Sequence, residues 1–283
     1  MTDEKPLRVL SLGWGVQSWT LAAMIAMEEM EPVDFAIHSD TTHEASGTYT
    51  HAKKWTPWLE ERGVKIITVQ PDSASVISGD TGVMIPAHSM NADGPIAPIR
   101  RQCTYAWKIA PIRQYIRTLL PEQPKSYQVR TQKEKDAYVR VLQPDMVHMI
   151  TGISWDEALR MKDSPVKYIK HVYPLVDMRI KRSDCILWLE RNGLDVPPKS
   201  SCVFCPYHSR AAWKDKKRDG GKDWDDAVAV DLLIRDKIKG QSLFLHPYRE
   251  PLSVAVKIPE DQGVKQLMLG DSDPTCDSGY CFN

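Results

Sequence analysis

Arg8-Val9-Leu10-Ser11-Leu12 reads as a short buried strand, and it runs through Gly13-Trp14-Gly15-Val16-Gln17-Ser18 into an apolar helical stretch from Trp19 to Met30. A strand that feeds a helix through a glycine-rich turn leaves little choice of architecture. The helix must pack back on a sheet, and the next strand then lies parallel to the first through a right-handed crossover. The pattern repeats downstream. Val33–His38 is a second strand, about Ala45 to Glu61 a helix stopped by Gly63, and Lys65–Val69 a third strand. Val147–Thr151 is a fourth, ending at Gly152, and Tyr168–Leu175 a fifth. The fold class expected is α/β, a Rossmann-like parallel sheet flanked by helices.

The turn itself is chemically suggestive. Backbone N–H groups and a helix N-terminus converge there, an arrangement suited to phosphate or pyrophosphate. Gly13 and Gly15 allow close backbone approach, and Ser11 and Ser18 add hydroxyls. The turn is neither a Walker A loop nor a G-x-G-x-x-G fingerprint, and taken alone it is equally a plain geometric turn. Two polar clusters fall on the same expected sheet edge: Asp40-Thr41-Thr42-His43-Glu44 after the second strand, and Gly152-Ile153-Ser154-Trp155-Asp156-Glu157 after the fourth. Open α/β sheets bind ligands at that edge.

From Pro71 to Arg100 the pattern dissolves into Pro, Gly, Ser, Asp and Asn, and a lid over the ligand is expected there. Helical periodicity returns from Cys103 to Leu120, and Ser183–Asn192 is an amphipathic helix with Ser183 as its expected cap. Pro197-Pro198 marks a boundary between a nucleotide-binding domain, 1–195, and a smaller, mostly helical C-terminal region, 196–283. Acidic and basic residues balance at 37 each, so a nucleic-acid partner would have to be met by a local patch, and Lys214, Lys216, Lys217, Arg218 and Lys222 supply one. No apolar run approaches a membrane span and the N-terminus is too polar for a signal peptide, so a cytoplasmic location without membrane contact is expected.

In a reducing compartment, six cysteines suggest metal binding or catalysis rather than disulfides. Cys202-Val203-Phe204-Cys205-Pro206 places two thiols at a spacing that grips one metal or one cluster, or forms a redox dithiol. His208 follows as a neighbour to such a site or as a helix start. Cys185 sits on an apolar helical face and reads as core filler.

Six segments in order, SLGWGVQS, SDTTHE, RRQCTYAWKIAP, GISWDEALRMK, YPLVDMRIKRSDCILWLERNGL and CVFCPYHS, resemble the PP-loop superfamily (adenine nucleotide alpha hydrolase-like), in particular its phosphoadenosine phosphosulfate (PAPS) reductase-like family of bacteria and phages. The resemblance implies an adenine nucleotide, ATP or PAPS, held by Ser11, Gly13, Gly15, Gln17 and Ser18. The purine and ribose would lie near Asp40, and Gly152, Asp156, Glu157 and Arg160 would complete the site. Arg100, Arg101 and Lys108 match the family's basic segment and would stabilise developing charge. Cluster-bearing relatives imply a [4Fe–4S] cluster on Cys103, Cys202, Cys205 and Cys276, with Cys281 the other fourth ligand and structural zinc the alternative.

The match has departures. The ATP-pyrophosphatase turn is Ser-Gly-Gly-x-Asp-Ser; here Gly13 and Trp14 stand at its first two positions and Gln17 replaces the aspartate. A neutral amide is a poorer partner for Mg2+ than a carboxylate. The reductases' Glu-Cys-Gly-x-His tail is missing as well; the chain ends with Cys276 and Cys281 in a different setting. Three functions follow as expectations. One is adenylation of an acceptor (tRNA, DNA or a nucleoside) for sulfur transfer. The second is thiol-dependent reduction of PAPS or APS with Cys281 or Cys276 as nucleophile and a thioredoxin-like donor. The third is a nucleotide-binding module without turnover.

Overall fold

A computed structural model of the chain describes residues 5–80, 82–121, 131–133 and 142–257. The ten strands are β1 Leu7–Ser11, β2 Phe35–Ser39, β3 Ile66–Val69, β4 Ile77–Ser78, β5 Gly82–Val83, β6 His88–Asn91, β7 Gly94–Ile96, β8 Val147–Thr151, β9 Ile169–Val172 and β10 Ser242–Phe244. The six longer α-helices are α1 Val16–Ala26, α2 Ser46–Glu60, α3 Ala110–Leu119, α4 Arg182–Arg191, α5 Arg210–Asp219 and α6 Gly221–Ile234.

The expected parallel sheet is present. It has five strands in the order β3-β2-β1-β8-β9, every neighbouring pair parallel. Chain direction across the sheet reverses between β1 and β8, and a crevice opens there beyond the strands' carboxyl ends. Alternation along β1 shows why both faces are covered. Leu10 faces the cluster of Trp14, Trp19, Leu21, Trp55, Leu59 and Leu189, whereas Val9 faces that of Phe35, Ile37, Ile112, Ile116 and Met149. All eleven residues of α1 are buried, as expected of a helix apolar on every side. Cys185 lies in the first of these clusters, fully buried, with its thiol pushed up to about 11 by burial.

Two expectations need correcting. Residues 71–100 are not a structureless lid: they carry the β4–β5 hairpin and the β6–β7 pair, and β10 joins β6 to make a three-stranded antiparallel sheet. The sequence hides these strands because they are two to four residues long, too short to show a period. They enclose a second core in which Val83, Ile85, Trp107, Phe204, Trp213, Ile234 and Leu243 pack together. Asp231 pins it: its buried carboxylate pairs with Arg235 and accepts Leu245 N at 2.9 Å and Leu252 N at 3.0 Å. Second, α4 is not capped by Ser183. It begins after Lys181, whose N–H donates to Asp184 at 2.9 Å.

His51 on α2 sits among the rings of Trp14, Trp19 and Trp55, with centroid separations of 5.1 to 6.3 Å. Burial is the main cause holding its pKa down to about 4. An imidazole neutral when folded and protonated when unfolded stabilises the fold fully above its ordinary value near 6.5, and that contribution is lost as pH falls towards 4. Urea titrations at pH 7 and pH 4.5 should therefore show His51→Phe losing about 2 to 3 kcal/mol less than wild type across the interval. Equal losses in the two proteins would disprove the assignment.

Candidate functional site

Every residue from Ser11 to Ser18 is buried. The turn closes on itself, because Gly13 N donates to Ser18 Oγ at 3.2 Å and that hydroxyl donates on to Gly15 O at 3.3 Å. Ser200 Oγ donates to Gly13 O at 2.5 Å from the segment expected to separate two domains. The same segment is stitched to the helices, since Asp195 accepts Trp19 Nε1 at 3.1 Å on its carbonyl and Trp55 Nε1 at 3.1 Å on its carboxylate. No side chain caps the first turn of α1, so its leading N–H groups keep the donor role expected of them. Trp14 adopts φ 58°, a left-handed conformation costly for a bulky residue. Glycine takes that conformation freely, which accounts for glycine at this position of the pattern the turn resembles.

Across the crevice, the end of β8 meets the start of α1 without a gap. A Cβ on Gly152 would stand 2.7 Å from Ser18 N and 3.0 Å from Ser18 Cα. Beyond it lies a chain of alternating polar groups. Arg182 donates to Gln17 Oε1 at 2.9 Å, and Gln17 Nε2 donates to Glu157 at 2.9 Å and to Ser154 Oγ at 3.4 Å. Glu157 pairs in turn with Arg160. Asp156, expected at the ligand, instead accepts Arg182 N at 3.0 Å. The amide of Gln17 is thus occupied inside the protein rather than offered to a ligand. Arg182 escaped the sequence reading, because nothing in its helical neighbourhood marks it out from ordinary surface arginines.

Asp40 is similarly engaged: it accepts Tyr49 Oη at 2.7 Å, Thr42 N at 2.8 Å and Gln70 Nε2 at 3.0 Å. Burial works to raise its pKa, but these donors outweigh it and hold the carboxyl below its usual value. Asp40 also lines a cavity of about 480 Å³ with Trp14, His38, Tyr49, Lys53 and Thr68.

The cysteine segment is brought to the same sheet edge by strand-like pairing. Glu44 and Cys202 form an antiparallel bridge, Ala45 N donates to Ser201 O at 3.1 Å, and Val203 N donates to His43 O at 2.9 Å. Residues Thr104–Ile109 form a π-helix, a rare element found often at functional sites. Together the two segments line a narrow cleft of about 40 Å³, room for one small group, with Cys103, Cys202, Cys205, Arg101, Lys108 and Trp107 on its walls. Arg100 is exposed and does not line it.

Lys108 Nζ lies 2.9 Å from Glu44 Oε1, and both groups are largely buried. Burial works against the ammonium, but the charge of Glu44, aided by Cys202, outweighs it and raises the lysine's pKa. Burial raises the Cys202 thiol, with Glu44 adding to the effect and Lys108 opposing it. Burial also raises Cys205, opposed by a backbone hydrogen bond at Tyr207 and by Arg101.

The expected metal cradle is not formed by these cysteines as arranged. Among the described residues no group of three or more His, Cys, Asp or Glu is placed to hold a metal ion, whether in a cluster or as zinc. Cys276 and Cys281 lie outside the described residues. His208 is buried against Trp213, and its ring nitrogen Nε2 meets Cys202 O at 3.1 Å. Among the described residues no helix is long and apolar enough to cross a membrane.

No protein-family model matches the sequence, and no curated protein matches it. Among solved structures, the chain is similar to a phosphoadenylyl-sulfate (PAPS) reductase from Candida auris in a phosphate complex, at 12% identity and a TM-score of 0.41 over 68% of this chain and 75% of that one. It is also similar to the U34-tRNA thiolase NcsA from Methanococcus maripaludis with its [4Fe–4S] cluster, at 13% identity and a TM-score of 0.37 over 82% of this chain and 72% of that one. With both scores below 0.5, neither likeness bears on the chemistry of this chain.

Because Gly152 touches backbone rather than a yielding side chain, Gly152→Ala should cost about 1 to 3 kcal/mol, the usual penalty for overpacking. Chemical denaturation measures it. Wild-type stability in this variant would mean that the approach of β8 to α1 is looser than described.

Proposed function

We propose that the protein is a thiol-dependent enzyme acting on a sulfonucleotide, an adenosine phosphate that carries a sulfuryl group. The observation carrying this reading is that three cysteines share one cleft with Arg101 and Lys108 at the ligand-binding edge of a parallel sheet. The volumes support a division of labour. The cavity of about 480 Å³ beside Trp14, His38 and Asp40 has room for a nucleoside, while the cleft of about 40 Å³ takes only a small terminal group. The two rooms lie close together, for Ser39, between His38 and Asp40, donates through Oγ to Trp107 O at 2.6 Å.

In this reading the first-turn N–H groups of α1 hold the phosphate. Cys205 is the readier nucleophile, since Arg101 and the Tyr207 backbone bond favour its thiolate. Its thiolate attacks the sulfuryl sulfur. A sulfur–sulfur bond forms, the bridging sulfur–oxygen bond breaks, and the electron pair leaves on the nucleotide phosphate, with Arg101 and Lys108 stabilising the charge. Cys202, deprotonated, then attacks Cys205 sulfur, sulfite departs with the electron pair, and a Cys202–Cys205 disulfide remains. A dithiol carrier of the thioredoxin type restores both thiols. Cys103 lines the cleft as a third thiol. The competing adenylation reading places ATP in the same crevice and sulfur transfer at the cleft. A [4Fe–4S] cluster, if acquired, would be held by Cys103, Cys202 and Cys205.

Anaerobic incubation with APS or PAPS and a dithiol should release sulfite, and Cys205→Ala should abolish release. Cys202→Ala should stall with one SO3 group bound at Cys205, visible by intact-protein mass spectrometry. Pyrophosphate from ATP without sulfite would overturn the proposal in favour of adenylation, and binding without product would favour a nucleotide-binding module.

A further inference from the structure

The polar chain across the β1–β8 crevice has an order that residue 17 makes possible. A primary amide is the one uncharged side chain here that can accept from a cation on one side and donate to an anion on the other. Gln17 does both: its oxygen faces the guanidinium of Arg182 at 2.9 Å, its nitrogen the carboxylate of Glu157 at 2.9 Å. The amide is fully buried, so these contacts are made away from bulk water, where charged hydrogen bonds count for more. An aspartate at position 17 would accept from Arg182 but would face Glu157 as a like charge.

The arrangement also decides what stands where a divalent cation would. A carboxylate at this position of the turn could recruit Mg2+ beside the phosphates. In this chain the cation next to the side-chain oxygen of residue 17 is a fixed guanidinium, held additionally by Arg182 N donating to Asp156 at 3.0 Å. Arg160, fixed by Glu157, adds a second positive charge nearby.

We propose that Arg182 is a built-in substitute for a divalent cation, so that the turn selects adenine nucleotides in their metal-free form. This rests on the nucleotide-binding part of the proposed function and narrows its substrate class to nucleotides whose charge is met by arginine rather than by Mg2+. Arg182 acts through Gln17 and by its charge; it is a positioning and specificity residue.

Calorimetry with APS and with ATP, each in excess MgCl2 or in EDTA, tests the proposal independently of sulfite release. Wild type should bind at least one of them with affinities in the two buffers within about twofold. Arg182→Ala should bind about tenfold more weakly in both buffers, and Arg182→Lys should recover part of the loss. The double variant Gln17→Asp, Arg182→Ala should regain affinity in MgCl2 but not in EDTA, a split that mere loss of packing would not produce. Gln17→Asp alone, with Arg182 retained, should show no gain from Mg2+. Wild-type binding that requires Mg2+, unaltered EDTA affinity in Arg182→Ala, or no binding of either nucleotide would overturn the proposal. The wild-type comparison decides even if a variant folds poorly. Metal-independent binding with no sulfite formed would leave this inference standing and remove only the reductase chemistry.

Discussion

The backbone contact between Gly152 and Ser18 is the joint on which the site depends. It fixes how far the fourth strand of the parallel sheet, β8, can reach towards the first helix, and hence the width of the crevice between them. With no side chain at 152, the following residues pass close enough for Ser154 and Glu157 to reach Gln17. A single added carbon would push the two backbones apart, and close-packed interiors do not absorb that cheaply. The polar chain from Arg182 to Arg160 is therefore a consequence of main-chain proximity as much as of side-chain chemistry.

A second site is assembled by different means. The cysteine segment pairs, strand-like, with the residues after β2, and this short ladder carries Cys202 to Glu44 and Lys108. The other wall comes from the π-helix, whose wider turn brings Thr104, Trp107 and Lys108 onto the cleft. Two segments separated by about half the chain thus meet where the sheet's carboxyl edge already gathers functional groups.

How far the sequence could reveal this depended on range. The parallel sheet was legible because its strands are bounded by turns and followed by helices of ordinary length, and the glycine turn marked the first crossover. The short strands between Ile77 and Ile96 were not, since two to four residues show no period and gain their stability from partners far along the chain. The site divided in the same way. Lys108, Arg101, Cys202 and Cys205 announced themselves by residue type and spacing. Arg182 did not, because its importance comes from Gln17, 165 positions away. Gln17 itself looked like a weakened ligand residue, and only the positions of Arg182 and Glu157 reveal why an amide suits that place.

The ring cluster at the base of α1 has an optical consequence. Trp14 borders the large cavity, stacks on Trp19 at 6.1 Å and meets the edge of His51. An indole placed at the wall of a binding cavity changes its emission when water beside it is replaced by a purine, and its stacked neighbour shares the excitation. The fold thus builds a fluorescent reporter into its own binding cavity.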